Sequence, residues 1–482
     1  MNKIIDYFRR NVENFPDKNA IIFGEQSITY RKLGELVDSF SENLINLKKG
    51  STISVFHENS IDFVISYLGI LNSGMITHLI PINLSEEKIQ EQLEIANSKF
   101  VITSKSLLDR IQNIKSKYKI ITYSELNIQD CGLSSSHDVE NDVAYLIFTS
   151  GTTGKPKGVS VTQSNTIFTT ENIINILEYD NADVNVLPLP LTHSFGLGCL
   201  HSSLFVGSTL ILLENATNTK KILEQIKNYN ATTLASVPLT LTKILKEHEY
   251  CSDYLQDLRL IITNSTSIPK KTVMHYRDIL KTGILATYYG LTEASRSTFM
   301  IFAKPGKETS VGKPPEGITI KIENKFSDEL QVGEILIKGK NVIKNYWNDS
   351  EADKNIVDGW LRTGDLGHKD TEGYLYLDGR TDYIINIAGE KVVPEEVEKV
   401  VRVLIDVEDV VAIGTKNEMY GEIVKMFVKK SPNSKITKSN ILSHCIKNLE
   451  SFKVPREIEF VDDFPQNEFG KIERYRLSEK NE

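Results

Sequence analysis

The segment from Leu146 to Val159 combines residue types that can grip a phosphate group. An apolar run leads directly into a loop with four hydroxyls, three glycines and two lysines. Backbone N–H groups freed by the glycines and the hydroxyls can point at one anion, while the lysines add positive charge. The residues of this predicted phosphate site are Thr149, Ser150, Gly151, Thr152, Thr153, Gly154, Lys155 and Lys157.

This loop is not a Walker A motif. Two residues separate Gly151 from Gly154, where that motif needs four, and no Ser or Thr follows Lys155. A polar hairpin loop is the alternative, since Gly, Thr and Lys are common in turns. The density of hydroxyls and glycines favours the phosphate site.

A second segment, Thr287-Tyr-Tyr-Gly-Leu-Thr-Glu-Ala294, also carries residue types that a nucleotide needs. It supplies flat aromatic faces for a base, a hydroxyl for a phosphate oxygen and a carboxylate for Mg²⁺. The alternative is a strand-turn-helix junction in which Glu293 caps the helix.

In two further segments, a charged residue directly follows a glycine. In Trp360-Leu-Arg-Thr-Gly-Asp-Leu-Gly367, the carboxylate of Asp365 could accept hydrogen bonds from two ribose hydroxyls. Near the C-terminus, Gly470-Lys471 places a cation after a turn. Taken alone, each pattern is also typical of an ordinary exposed turn.

In their order along the chain, these segments resemble the signature motifs of the adenylate-forming superfamily. That superfamily contains acyl-CoA synthetases, adenylation domains of peptide synthetases and luciferases. The resemblance extends from the region of Ile28-Thr-Tyr-Arg-Lys-Leu33 to Lys471. It implies an enzyme that uses ATP and Mg²⁺ to convert a carboxylic acid to an acyl adenylate with release of pyrophosphate, and then transfers the acyl group to a thiol.

The acceptor thiol is left open by the sequence. Coenzyme A is the first interpretation, and a stand-alone ligase that loads an acyl or aminoacyl group onto the phosphopantetheine of a carrier protein is the second. A non-catalytic nucleotide sensor is a third, which Glu293 and Lys471 disfavour.

The resemblance also implies roles for single residues. Tyr289 would pack on adenine, Thr292 would contact the α-phosphate, and Glu293 would hold Mg²⁺. The rest of this motif, Thr287, Tyr288 and Gly290, would complete the ATP site.

Further roles follow for the last third of the chain. Asp365 would bind the ribose with Arg380 nearby, and Asp382 would be the pivot between two domains. Gly389 would lie in a loop at the thiol channel. Lys471 would neutralise the carboxylate and the α-phosphate during attack, which lowers the barrier electrostatically.

Several residues are candidates for the acid pocket. His193 matches a position that gates the acyl pocket in acyl-CoA synthetases, although a lone histidine is often a structural residue. Asn264 and Ser265 would make one wall bulkier and more polar. Arg296 would either bind a polar or anionic group of the acid or pair with an acidic residue of the fold. We therefore expect a short-to-medium or functionalised acid.

Composition limits the class of protein. With 482 residues, 40% hydrophobic and 25% charged, the chain should form at least two globular units. A net charge of −8 disfavours nucleic-acid binding. The cysteines lack metal spacing, which favours a reduced cytoplasmic setting.

The uncharged stretch from 63 to 82 is expected to be a buried helix and a strand rather than a membrane span. The oligomeric state is left open.

The basic run from Lys425 to Arg456 has two interpretations. Eight lysines and arginines accompany one acidic residue there. Such a run is either a solvated face or a docking surface for a polyanionic thiol carrier.

These motifs must be positioned by an α/β scaffold. Strand-like runs alternate with helical ones over residues 1–378, and short strands between glycine turns near 333–339 and 373–379 predict a β-rich subdomain. The pattern then changes to a small α+β unit, where Val397, Val400, Val401 and Leu404 form one apolar stripe. The expected organisation is a multi-subdomain adenylation core at 1–378, a hinge at 379–382 and a mobile C-terminal lid domain at 383–482.

Overall fold

The computed structural model describes residues 3–125, 142–150, 155–323, 332–388, 390–417, 419–466 and 472–479. The chain divides into two compact units, Met1–Thr319 with Ile337–Leu361, and Ile320–Leu336 with Arg362–Glu482. The predicted boundary after residue 378 falls inside the second unit. The hinge itself stays a prediction.

The helices of the described chain are α1 (Ile4–Asn14), α2 (Tyr30–Glu42), α3 (Ile61–Asn72), α4 (Glu86–Ile95), α5 (Gln163–Leu177), α6 (Ser194–Val206), α7 (Thr219–Asn228), α8 (Pro238–Glu247), α9 (Ser252–Leu255), α10 (Lys270–Ile279), α11 (Pro394–Arg402), α12 (Lys438–Asn448) and α13 (Arg474–Glu479). Short 3-10 helices lie at Lys105–Ile111, Tyr123–Glu125, Ala352–Asn355 and Thr381–Tyr383.

The strands are β1 (Asn19–Phe23), β2 (Gln26–Thr29), β3 (Thr52–Phe56), β4 (Ile76–Leu79), β5 (Phe100–Thr103), β6 (Lys119–Thr122), β7 (Val143–Ser150), β8 (Pro156–Thr162), β9 (Val184–Leu187), β10 (Thr209–Leu212), β11 (Thr233–Ser236), β12 (Leu260–Thr263), β13 (Ile284–Leu291), β14 (Ala294–Ile301), β15 (Ile318–Glu323), β16 (Gly333–Gly339), β17 (Ile356–Val357), β18 (Trp360–Lys369), β19 (Leu375–Arg380), β20 (Ile385–Ile387), β21 (Glu390–Val392), β22 (Val407–Asn417), β23 (Gly421–Lys430) and β24 (Glu457–Val461).

Two α/β sheets form the first unit. One has the strand order β14-β13-β12-β11-β9-β10-β1-β2, and the other has the order β6-β5-β3-β4-β7-β8. Their internal pairs are parallel, and antiparallel pairs occur at the edges, between β1 and β2, β13 and β14, and β7 and β8. One hydrophobic core joins residues of both sheets to α1, α2, α3, α5 and α6. The sites predicted from Leu146 and Thr287 onward lie at two antiparallel edges.

Helix α3 shows why the uncharged stretch folds as it does. Ser60 caps the helix by accepting a hydrogen bond from the Phe63 amide. Every residue from Phe63 to Leu71 is buried, and the strand β4 that follows is buried throughout. Among the described residues, no helix is both long and apolar enough to cross a bilayer.

Two smaller sheets complete the chain. Strands β15, β16, β18 and β17 pair in that order, with β19 added to β18. The last sheet has the order β21-β20-β23-β22, with β24 parallel to β23, and its core includes Val397, Val401 and Ile441 from α11 and α12. The predicted fold class, α/β sheets with a β-rich subdomain and a small α+β C-terminal domain, is confirmed.

Candidate active site

The predicted phosphate loop connects the two strands of an edge hairpin. Strands β7 and β8 pair antiparallel up to Thr149 opposite Lys157 and Ser150 opposite Pro156. Residues 151–154 lie outside the described part of the chain, so the roles of Gly151, Thr152, Thr153 and Gly154 stay predictions. The hairpin alternative and the phosphate site are compatible, because the hairpin brings Thr149 and Lys157 to the same end of the sheet.

The second motif lies at the turn of another edge hairpin. Leu291 pairs with Ala294 across β13 and β14, so Thr292 and Glu293 form a two-residue turn. The alternative of a strand-turn-helix junction is therefore wrong. Gly290 is required here, because a Cβ on it would lie 2.5 Å from the Arg296 amide nitrogen and 2.7 Å from the Ala294 carbonyl oxygen.

Tyr346, which the sequence did not indicate, links the two hairpins. Its hydroxyl donates to the carboxylate of Glu293 at 3.2 Å, and Tyr346 forms a bridge with Val159 on β8. The ammonium of Lys157 lies 6.0 Å from the centre of the Tyr346 ring. Burial, together with the neighbouring Glu293 carboxylate, raises the pKa of Tyr346, so the hydroxyl remains a donor.

Glu293 fits the predicted magnesium site. The described residues contain no group of three His, Cys, Asp or Glu side chains that could hold a metal by themselves. Magnesium in nucleotide enzymes is typically bound by one or two carboxylates together with substrate phosphates and water. A single carboxylate, held by Tyr346 beside strand β8, suits that mode of binding.

Tyr288 and Tyr289 project to opposite faces of β13, as neighbours on a strand do. The Tyr288 ring packs edge-on against Phe195, with centroids 5.4 Å apart. Thr287 donates from its hydroxyl to the Thr263 carbonyl oxygen at 2.9 Å. Thr287 and Tyr288 are therefore held within the fold, and the predicted contact of Tyr289 with adenine stays a prediction.

In the second unit, Asp365 and Arg380 are direct neighbours across β18 and β19. Arg380 donates from Nη1 to Asp365 at 2.8 Å and from Nη2 to Asp382 at 2.9 Å. Asp365 is buried, whereas Asp382 is exposed within the 3-10 helix that follows β19. The structure thus joins the predicted ribose residue to the predicted pivot through one guanidinium.

A narrow cavity of about 20 Å³ lies beside the Thr292 turn in the first unit. Its walls come from α5, α6, the β7–β8 hairpin and the β13–β14 hairpin, and Thr292, Ser295 and Arg296 line it together. Space of this size takes one water-sized group. The cavity is the candidate for the inner end of an acid pocket.

Arg296 is buried in this wall, with 4% of its surface exposed. Its Nη2 donates to the Ser194 carbonyl oxygen at 3.0 Å, and its Nη1 donates to the Ser295 hydroxyl. Its Nε has no hydrogen-bond partner among the described residues, and no described carboxylate forms an ion pair with it. Within the described chain, Arg296 therefore forms no ion pair with an acidic residue, and that alternative is wrong for these residues.

His201 lines the same cavity and was missed in the sequence. Its Nε2 lies 2.8 Å from the Tyr67 hydroxyl oxygen. Burial, together with the nearby Arg296, lowers the pKa of His201 to about 3, so its ring is neutral at physiological pH. A signal was present, because Ser194, Gly198 and His201 lie at i, i+4 and i+7 of α6, which places polar and small residues on one helix face.

The other acid-pocket candidates lie elsewhere. His193 is the N-cap of α6, directly before the cavity-lining Ser194. Asn264 is half-buried and Ser265 is exposed with φ of 87°, and neither lines the cavity. Gly389 and Lys471 lie outside the described residues.

Part of the basic run near the C-terminus is compensated by ion pairs. Lys425 forms ion pairs with Glu457 and Glu459, and Lys453 forms ion pairs with Glu396 and Glu450. These acidic partners come mostly from outside the run, which is why the sequence count overstated its charge. The solvated face and the docking surface for a polyanionic thiol carrier both stay predictions.

Comparison with known proteins identifies the family of this chain. Residues 8–347 match the family described as AMP-binding enzyme, and residues 396–471 match the AMP-binding enzyme C-terminal domain. An oxalate–CoA ligase of Arabidopsis thaliana is 31% identical, over 96% of this chain and 95% of that protein. The chain belongs to the AMP-binding enzyme family.

Solved structures agree with this assignment. The o-succinylbenzoate coenzyme A synthetase of Bacillus subtilis in complex with its acyl-adenylate has a TM-score of 0.84 at 27% identity, covering 98% of this chain and 97% of that one. ATP-bound MatB from Rhodopseudomonas palustris has a TM-score of 0.88 at 25% identity, covering 100% and 99%. The Bacillus enzyme has also been solved with ATP and a magnesium ion.

The predicted superfamily is thereby confirmed, and so is the predicted reaction class. This AMP-binding enzyme is an AMP-forming acid–thiol ligase that uses ATP and Mg²⁺, with coenzyme A as the thiol. The identity of its acid and the roles of its single residues are not given by these comparisons.

Proposed function

We propose that this enzyme forms the coenzyme A thioester of a small carboxylic acid whose reacting carboxylate lies beside Thr292. The observation that carries this proposal is the joining of the two edge hairpins through Tyr346 and Glu293. Through Tyr346, the predicted magnesium ligand is connected to strand β8 of the hairpin whose loop would hold the phosphates. The residues around this junction would hold the nucleotide, and the cavity next to it would be the inner end of the acid pocket.

Residues of several motifs would hold the nucleotide. Thr149, Ser150 and the loop residues 151–154, with Lys155 and Lys157, would bind phosphate oxygens through hydroxyls, backbone N–H groups and positive charge. Glu293 would hold the Mg²⁺ ion, which neutralises phosphate charge. Asp365 would accept hydrogen bonds from the ribose hydroxyls.

The two half-reactions would need two arrangements of the C-terminal domain. Lys471 would stabilise the negative charge that builds up when the carboxylate attacks the α-phosphate. Rotation about Asp382 would then replace Lys471 by the loop around Gly389, where the thiol enters. Movement between two such arrangements lets one site perform two reactions in turn.

The acid is proposed to be small. The cavity beside Thr292 is narrow, and its walls carry hydroxyl and amide groups besides Arg296. A long alkyl chain would leave such groups unpaired, at a cost of about 1 to 3 kcal/mol for each. The names of the relatives do not decide the matter, since they include ligases for oxalate, 2-succinylbenzoate and long-chain fatty acids.

The proposal is tested by supplying two acceptors in parallel. Purified enzyme with ATP, Mg²⁺ and an acid panel receives either free coenzyme A or a carrier protein bearing phosphopantetheine. We expect short acids to give the coenzyme A thioester at a higher kcat/KM than palmitate. A preference for palmitate would contradict the small-acid proposal, and acyl transfer to the carrier protein alone would contradict coenzyme A as the acceptor.

A further inference from the structure

Arg296 is a buried cation that lacks a described anionic partner. Its guanidinium donates to neutral oxygens only, those of Ser194, Phe195 and Ser295. Its Nε has no partner within the described chain, and its side chain lines the cavity beside Thr292. A buried charge is normally paired, and a buried donor is normally satisfied, so this arrangement requires an explanation.

The fold makes room for this side chain. A Cβ on Gly198 of α6 would lie 1.9 Å from Arg296 Nη2, so only glycine lets the guanidinium reach its position. The guanidinium also lies over the Tyr288 ring, 4.9 Å from its centre, where the aromatic face favours a cation. Arg296 itself has φ of 53°, a conformation that non-glycine residues seldom adopt and that clusters at functional sites.

The cavity carries the charge of Arg296 without compensation from its described walls. The described residues that line it include no aspartate or glutamate, and His201 is neutral because its pKa is lowered to about 3. Asn341 also lines the cavity, and its side chain is a neutral amide. An anionic ligand would therefore meet a positive charge that no described residue of the cavity wall compensates.

We propose that Arg296 binds a second anionic group of the acid substrate, so that the preferred substrates are short acids with a second carboxylate. This inference rests on the proposed function, because it places the reacting carboxylate beside Thr292. The second carboxylate would place one oxygen in the cavity, against Arg296. A planar carboxylate matches the planar guanidinium and provides acceptors for its unused N–H group.

The competing explanation is that Arg296 only supports α6. Its bonds to the Ser194 and Phe195 carbonyl oxygens attach it to the first turn of that helix. A purely supporting side chain would affect the stability of the protein and would not change the ranking of acids. The two explanations therefore differ in substrate selectivity.

The test compares each dicarboxylic acid with the monocarboxylic acid of the same length. The pairs are malonate and propionate, succinate and butyrate, and glutarate and pentanoate, each followed as acid-dependent pyrophosphate release. We expect at least one dicarboxylate to exceed its partner in kcat/KM by roughly 10- to 100-fold, the range of one charge-assisted hydrogen bond. In Arg296→Gln this ratio should fall to roughly 1, and in Arg296→Lys it should be partly retained. Equal ratios in wild type and Arg296→Gln would overturn the inference.

A second variant tests the same point without altering Arg296. In Gly198→Ala the new methyl group must displace the guanidinium, so the preference for the dicarboxylate should be lost. Cys199→Ala, at the next position of α6 and outside the cavity lining, is the matched control and should keep the wild-type ratio. An unchanged ratio in Gly198→Ala would contradict the inference, even if Arg296→Gln proved unstable.

Failure of the inference can be distinguished from failure of the proposed function. If monocarboxylates support pyrophosphate release as well as dicarboxylates do, the inference fails and the ligase proposal stands. If palmitate is preferred to every short acid, both fail together.

Discussion

The guanidinium of Arg380 donates to the carboxylate of Asp365 across 2.8 Å, and its other branch donates to Asp382. One side chain thus connects the residue proposed to bind ribose with the residue proposed to act as the pivot. A change in the backbone at Asp382 would alter a partner of Arg380, and Arg380 in turn orients Asp365. We infer that nucleotide binding and the position of the pivot are linked through this pair.

We predict that Asp365→Asn raises the KM for ATP by roughly 10- to 100-fold, because the amide replaces a charged acceptor of two hydrogen bonds. Initial rates at varied ATP concentration measure this effect. Glu334→Gln is the control, since Glu334 is also buried in this sheet and pairs with Arg362 at 2.6 Å. An unchanged KM for ATP in Asp365→Asn would remove Asp365 from the nucleotide site.

We predict that Tyr346→Phe weakens the activation by Mg²⁺ by roughly 10-fold, the usual effect of losing a side chain that orients a metal ligand. The measurement is the Mg²⁺ concentration that gives half-maximal pyrophosphate release. Tyr7→Phe is the matched control, because the Tyr7 hydroxyl donates to Glu171 at 2.6 Å on an exposed surface. Equal Mg²⁺ dependence in the two variants would argue against the role of Tyr346.

Two buried histidines should make the protein less stable in mild acid. Burial lowers the pKa of His78 and of His201 from 6.5 to about 3. Between these pH values the unfolded chain binds a proton on each histidine and the folded chain does not. The free energy of unfolding should therefore fall with decreasing pH below 6.5, by about 1.4 kcal/mol per pH unit for each histidine.

Replacing either histidine should remove its share of this slope. Urea unfolding of wild type, His78→Gln and His201→Gln at pH 6.0, 5.5 and 5.0 measures the slopes. His78 contacts Ser54 and Gln92 outside the proposed site, so its variant serves as a control for effects on the cavity. Slopes equal to that of wild type in both variants would contradict the prediction.

The sequence predicted the scaffold well where an element is determined by local pattern. The apolar stretch from 63 to 82 became α3 and β4, and Gly333–Gly339 became β16 with those bounds. It indicated candidate catalytic segments because their residue types lie close together in the chain, and the roles of these segments stay predictions. The contact between Arg380 and Asp365 was predicted only in part. The family resemblance implied that both residues lie near the ribose, and it did not imply the hydrogen bond between them.

Contacts between distant segments could not be predicted. Tyr346 lies 53 residues from Glu293, and Ser194 lies 102 residues from Arg296. No local pattern fixes such pairs, because they depend on how two hairpins and a helix pack. The sequence also left the element after Glu293 undecided between a helix and a strand, since a short polar turn can precede either one.

We predict that Asp382→Pro leaves the formation of the acyl adenylate largely intact and slows thioester formation by roughly 10-fold or more, because proline fixes φ at the proposed pivot. Pyrophosphate exchange and thioester production are measured separately on the same preparation. Asp382→Ala, which removes the side chain and keeps backbone freedom, is the control. An equal loss of both half-reactions in Asp382→Pro would argue against a pivot at this residue.

Acid-dependent exchange of labelled pyrophosphate into ATP, compared between wild type and Lys471→Ala, tests directly whether the enzyme forms an acyl adenylate with the help of Lys471. We expect exchange in wild type that requires both the acid and Mg²⁺, and a loss of roughly 100-fold or more in Lys471→Ala, the order expected when a charge that stabilises the transition state is removed. The variant should still convert a pre-made acyl adenylate and coenzyme A to thioester. Near-normal exchange in Lys471→Ala would show that Lys471 does not act in the formation of the acyl adenylate.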